Sequence, residues 1–127
     1  MTAVTEEQIA ELVRVFYGRA RAHADLGPLF HHAIVDWDEH LRIICDFWSH
    51  VLLGTHRYKR NAYPPHMNLP IRREHFDQWL ELFRQSALET LPEKGARRAI
   101  ARAELMTESF RAGLFPFDPV REKSPDV

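Results

Sequence analysis

Four stretches of this chain repeat apolar residues every three or four positions, and none shows the two-residue alternation of a half-buried strand. Chains patterned in this way bury their apolar faces by packing helix on helix. Thr5 followed by Gln8 reads as a capping box ahead of Ile9, Leu12, Val13, Phe16 and Ala20. The segment Asp25-Leu26-Gly27-Pro28 is expected to end that first helix, and a short apolar patch follows at Leu29, Phe30, Ala33 and Ile34. Asp36 with Glu39 repeats the capping pattern before Leu41, Ile44, Cys45, Phe47, Trp48, Val51 and Leu52, and Gly54 closes the segment. A third stripe carries Phe76, Trp79, Leu80, Phe83, Ala87 and Leu91 and stops before Pro92. The last runs from Lys94 to Leu114 with Ala99, Ile100, Ala103, Met106 and Phe110 on its core side. The expected class is all-α.

With 127 residues, 45% of them hydrophobic, the chain is the size of one domain with a real core. That domain is expected to span residues 1–115, followed by a flexible tail over 116–127 that holds Pro119, Pro125 and alternating charges. Seventeen basic against eighteen acidic side chains offer no bulk attraction to nucleic acid or anionic lipid, so neither is expected as a partner. The first residues are acidic (Glu6, Glu7, Glu11), and no apolar run approaches a membrane span. A single cysteine excludes an intrachain disulfide, and a cytoplasmic setting is expected.

Between the second and third stripes lies the most constrained loop. Pro64, Pro65 and Pro70 fence in His66, fixing backbone angles before it and limiting any helix begun there to about one turn. A histidine on so stiff a pedestal suits a metal, but a Pro-Pro-His in a loop is more often just a surface turn. Just upstream, His56, Arg57, Lys59 and Arg60 surround Tyr58, a cluster that is either solvated or suited to a ligand carrying carboxylates.

Other chemistries find little support. Cys45 sits in a very apolar helix, where burial raises a thiol's pKa and leaves it inert. The five glycines are isolated, so no phosphate loop exists. His31 and His32 are adjacent and face different ways, and no Glu-x-x-His pair suggests a di-iron site. Eight histidines and fourteen aromatic side chains would nevertheless suit a large flat apolar ligand with a ligated metal. Tyr17 lies at the edge of the first stripe, where its hydroxyl can turn inward. His40 shares a face with Ile44, Phe47 and Val51, although a first-turn histidine is also readily solvated. Trp79 is central to its stripe and its indole N–H needs an acceptor once buried.

At this point the sequence resembles the group III truncated haemoglobins. The likeness is carried by Phe16-Tyr17, Asp25-Leu26-Gly27-Pro28-Leu29-Phe30, His40 followed by Phe47-Trp48-Ser49, Leu52-Leu53-Gly54, Tyr58, His66-Met67-Asn68-Leu69-Pro70 and Phe76-x-x-Trp79-Leu80-x-Leu82-Phe83. These phrases stand in the family's order from Ile9 to Phe110, without the Gly-Gly pairs of the other two groups. Two departures are the shorter connection from His66 to Trp79 and the Pro64-Pro65 pair directly before the histidine.

The resemblance implies a globin-like, two-over-two helical sandwich around one haem b. His66 would be the iron ligand, and Tyr17, His40 and Trp79 the polar residues on the opposite face. Phe16, Phe30, Ile44, Phe47, Trp48, Met67, Leu69 and Phe83 would line the macrocycle, with Tyr58 and Arg57 near its propionates. Oxygen, nitric oxide, carbon monoxide and peroxide are then the expected ligands. One charge-assisted hydrogen bond of about 1.5–3 kcal/mol slows ligand loss by roughly ten- to a hundredfold. Two or three such donors hold oxygen too tightly for delivery. Redox turnover is therefore expected, as oxidation of nitric oxide or reduction of peroxide or nitrite, fed by an unidentified electron donor or reductase. A reversible oxygen carrier or gas sensor is the alternative with the same pocket, and a haem-free helical interaction module is a third reading.

Overall fold

The Thr5 hydroxyl accepts the backbone N–H of Gln8 at 3.1 Å, and the Gln8 side chain accepts that of Thr5 at 3.0 Å. These two bonds start helix α1, Glu6–Ala22, in a computed structural model that describes residues 3–58 and 72–114. Its stripe of Ile9, Leu12, Val13, Phe16, Tyr17 and Ala20 is buried as the spacing requires.

The expected stop at Gly27-Pro28 is corrected. Helix α1 ends earlier, at Ala22, and Leu26-Gly27-Pro28 form the first turn of a second helix, α2, Leu26–Ala33. Proline is tolerated there because first-turn N–H groups have no partner within the helix. Gly27 supplies space in place of a left-handed turn, since a Cβ would stand 2.5 Å from the Arg21 carbonyl oxygen. The start of α2 is held by a ring: His23 Nδ1 accepts from the backbone N–H of Asp25 at 3.0 Å and of Leu26 at 3.2 Å. Asp25 instead accepts from Gln78 Nε2 at 2.8 Å.

Helix α3, Trp37–Leu53, begins where Asp36 Oδ1 accepts from Glu39 N at 3.1 Å. It ends at Gly54 in the left-handed region (φ 78°), which an L side chain rarely adopts. Helix α4 is Arg73–Thr90 and α5 is Glu93–Leu114. His75 Nδ1 accepts from Arg72 N at 2.9 Å at the start of α4. Arg98 of α5 donates to the Val51 and Leu52 carbonyls at 2.9 and 3.3 Å, placing positive charge at the negative end of α3.

Helices α1 and α3 pack together, α4 and α5 pack together, and the pairs meet through α1 on α4 and α3 on α5. This is an all-helical arrangement, and among the described residues there is no strand. The pair containing α5 is drawn close by small residues: Ala87, Ala96, Ala99 and Ala103 have no exposed surface. At Gly95, an added Cβ would collide with the Val4 side chain.

A polar strap closes one end. The buried Ser49 hydroxyl donates to Glu6 at 2.9 Å and lies 2.8 Å from Thr55 Oγ1, while Arg57 reaches Glu6 at 3.1 Å and Asp46 at 3.1 Å. The strap ties the chain after α3 back to the start of α1. His66, Met67, Leu69, the three prolines around them, Lys59, Arg60 and the tail 116–127 lie outside the described residues. Among the described residues no helix is long and apolar enough to cross a membrane.

Candidate functional site

Tyr17, on the last turns of α1, is only 7% exposed, and its hydroxyl lies 3.2 Å from His40 Nε2 on the first turn of α3. Aromatic edges enclose the pair. The Tyr17 ring meets Phe16 at 4.9 Å, His40 at 5.3 Å, Phe30 at 5.6 Å and Trp37 at 5.9 Å, each near-perpendicular. Edge-to-face contact suits ring quadrupoles and fixes orientation as well as distance. Phe16 continues the cluster to Trp79 (5.5 Å, 76°) and Phe83 (5.7 Å, 70°). Phe83 stacks with both Trp79 (5.5 Å, 6°) and Trp48 (4.9 Å, 21°). Three helices thus deliver Tyr17, His40 and Trp79 to one aromatic assembly.

Burial pushes the Tyr17 phenol well above the ordinary range, with the Cys45 thiol adding to the shift. The phenol therefore stays protonated and able to donate. Where its hydrogen points depends on the His40 tautomer. With Nε2 unprotonated the phenol donates to it; with Nε2 protonated the phenol accepts, and its own hydrogen turns toward the pocket. Cys45 is half-buried, and its thiol is raised by desolvation first and then by Asp46 and Glu6. It stays a thiol, as the sequence suggested.

The walls fit a flat apolar group. Leu41, Ile44 and Val51 on one face of α3, Phe30 on α2 and Trp79 on α4 are only partly covered although they pack on the core. The polar atoms of the pair are the Tyr17 hydroxyl and the His40 ring nitrogen, 3.2 Å apart, which suits a small ligand. Among the described residues no cluster of three His, Cys, Asp or Glu side chains could cage a bare metal ion. A metal brought within a macrocycle needs no such cage.

The other expected site residues divide by burial. Phe16, Phe47, Trp48 and Phe83 lie in the buried core cluster, whereas Phe30, Ile44, Tyr58 and Trp79 are packed against it and partly open. Tyr58 meets the Phe47 ring at 5.1 Å. Arg57 is held by Glu6 and Asp46, so an anionic group on a ligand would compete with two carboxylates for it. His66, Met67 and Leu69 fall outside the described residues.

Sequence reasoning missed Trp37. Its ring touches Tyr17, Phe30, His31 and His40, and the Arg21 guanidinium lies over it, 4.1 Å from the centroid. The available signal was its place three residues before His40, directly after the capping Asp36. The ring caps His23 and His75 were also missed, because a histidine accepting backbone N–H groups has no distinctive spacing.

The profile of the bacterial-like globins matches residues 4–111. The chain is 33% identical over 119 residues to a group 3 truncated haemoglobin, Ctb, of Campylobacter jejuni, covering 90% of this chain and 94% of that one. A crystal structure of a group III truncated haemoglobin from Campylobacter jejuni superposes with a TM-score of 0.83 at 32% identity, covering 93% of this chain and 97% of the other. The open aromatic walls, the protonated phenol and these likenesses agree: the chain belongs to the bacterial-like globins and, among them, to the group III truncated haemoglobins, haem proteins that bind small ligands.

Proposed function

We propose that this globin holds haem b with His66 as the iron's protein ligand and uses Tyr17, His40 and Trp79 on the opposite face to drive redox turnover of a small ligand. Haem iron held by one imidazole supplies an open coordination position for a diatomic molecule. The chain supplies the rest. Phe30, Ile44 and Phe47 exclude water, and Met67 and Leu69 are proposed to line the macrocycle with them. Of the two propionate candidates Tyr58 is favoured, because Arg57 already has carboxylate partners.

The observation that carries the reading is the buried phenol paired with His40 in an otherwise apolar enclosure. A donor kept protonated by burial stabilises negative charge developing on a ligand, and more strongly than it would in water. Tyr17 binds and orients, His40 sets the direction of the Tyr17 hydrogen, and Trp79 adds an indole N–H from α4. With the phenol and the indole both donating to it, bound oxygen is released slowly and reaction is favoured over delivery.

Oxidation of nitric oxide fits best. Nitric oxide, dioxygen and one electron give nitrate, so an external electron donor is required at each turnover. The test is nitric oxide consumption by the oxygenated protein with a reductant present. Stoichiometric nitrate over many turnovers is expected. Slow oxygen exchange without nitrate would instead favour the carrier or sensor.

A further inference from the structure

We propose that Trp37 is a positioning residue for the Tyr17–His40 pair, held by Arg21, and that it sets which ligands reach the pocket by size. This rests on the assignment of that pair to the ligand-binding face. The three rings form a closed triangle with centroid separations of 5.3 Å (Tyr17–His40), 5.9 Å (Tyr17–Trp37) and 6.0 Å (Trp37–His40). Every side of it is near-perpendicular, at 87°, 71° and 82° respectively. Neither the imidazole nor the phenol can turn away from the other without losing its edge against the indole.

Chain position explains the arrangement. Trp37 is the first residue of α3 and His40 is one turn on, so both project from the same face of that first turn. Phe30 of α2 also meets the indole, at 6.5 Å and 62°. Arg21, from the last turn of α1, lies over the ring at 4.1 Å from the centroid and is exposed to solvent. A guanidinium over an indole face is attracted by the ring's negative quadrupole. Arg21 therefore clamps the Trp37 indole from outside, and the indole fixes the pair inside. A single edge contact of this type biases an orientation by a factor of about 2–12.

The test uses the haem-loaded ferrous protein and measures association of carbon monoxide and of n-butyl isocyanide after photolysis. Trp37→Ala is expected to speed the bulky isocyanide at least fivefold more than carbon monoxide, and Trp37→Phe to restore most of the discrimination. Arg21→Gln, which leaves the fold's interior untouched, should shift the ratio in the same direction by a smaller factor, and should have no effect once Trp37 is already alanine. A second readout is exchange of the Tyr17 hydroxyl proton with water, seen by NMR in the diamagnetic carbon monoxide complex; it should quicken in Trp37→Ala and in Arg21→Gln. Unchanged rate ratios and unchanged exchange in both variants would overturn the proposal. If none of the proteins takes up haem, the failure lies with the assignment of the pocket, and that result is distinct.

Discussion

The two ends of helix α1 are packed by different chemistry. Toward its start, the aliphatic side chains of Ile9 and Leu12 are wholly buried in the core cluster. Toward its end, Tyr17 is surrounded by Phe16, Phe30, Trp37 and His40, rings meeting at edges, with a hydroxyl and an imidazole among them. Close-packed aliphatic side chains contribute about 1.5–3 kcal/mol each and leave nothing for chemistry. The aromatic end holds polar atoms in fixed orientations beside side chains that the protein itself only partly covers. One end keeps the fold together so that the other can be left partly open.

This contrast can be broken by substitution. Leu12→Ala should have the largest effect on stability, about 2–5 kcal/mol by denaturant unfolding, while leaving ligand rate ratios alone. Tyr17→Phe should do the reverse. Oxygen dissociation is expected to accelerate roughly ten- to a hundredfold, from loss of about 1.5–3 kcal/mol of hydrogen bonding, with much less change in unfolding free energy. An unaltered off-rate in that variant would remove the phenol from the ligand's surroundings.

A pH scan sharpens the comparison at a third place, the start of α4. His75 is 8% exposed and its Nδ1 accepts the Arg72 N–H, so the bound form is the neutral ring. Desolvation, then Arg72 and to a smaller degree His23, lowers its pKa below the ordinary histidine value, against weaker opposing pulls from Asp25 and Glu74. The unfolded chain thus binds the proton more readily than the folded one. The stabilisation is fully present above about pH 6.5, the unperturbed value, and is lost as pH falls through that value toward the depressed folded one. Melting temperature should drop over that window, and His75→Gln should flatten the slope. The smallest expected effect is that of Arg98→Ala, about 0.3–1 kcal/mol from loss of a cation at the end of α3, measured by the same unfolding.

The helices were legible because their signals are local. Thr5 with Gln8, Asp36 before Trp37, and Gly54 after Leu53 act within four residues of themselves, and each behaves as its chemistry dictates. Gly27-Pro28 was misread for a physical reason. Both residues end helices and both are accepted in a first turn, and only the approach of Gly27 to the Arg21 carbonyl decides between the two. The site was legible in part, through the resemblance, since Tyr17 and His40 are 23 positions apart and no local pattern joins them. Trp37 escaped because an indole in a helix's first turn looks like an exposed aromatic until Arg21 and Phe30 are seen around it. Arg57 shows the opposite case: a cation suited to carboxylates does bind carboxylates, those of Glu6 and Asp46.

The central claim is that His66 holds haem iron and leaves the Tyr17 side open. The absorption spectrum of the reduced, haem-loaded protein with and without carbon monoxide, taken for the wild type and for His66→Ala, tests it most directly. The account predicts an intense Soret band that shifts on adding carbon monoxide in the wild type, and loss of haem or an altered, exogenously ligated spectrum in the variant. No Soret band in the wild type after reconstitution, or identical spectra in the two proteins, would contradict it.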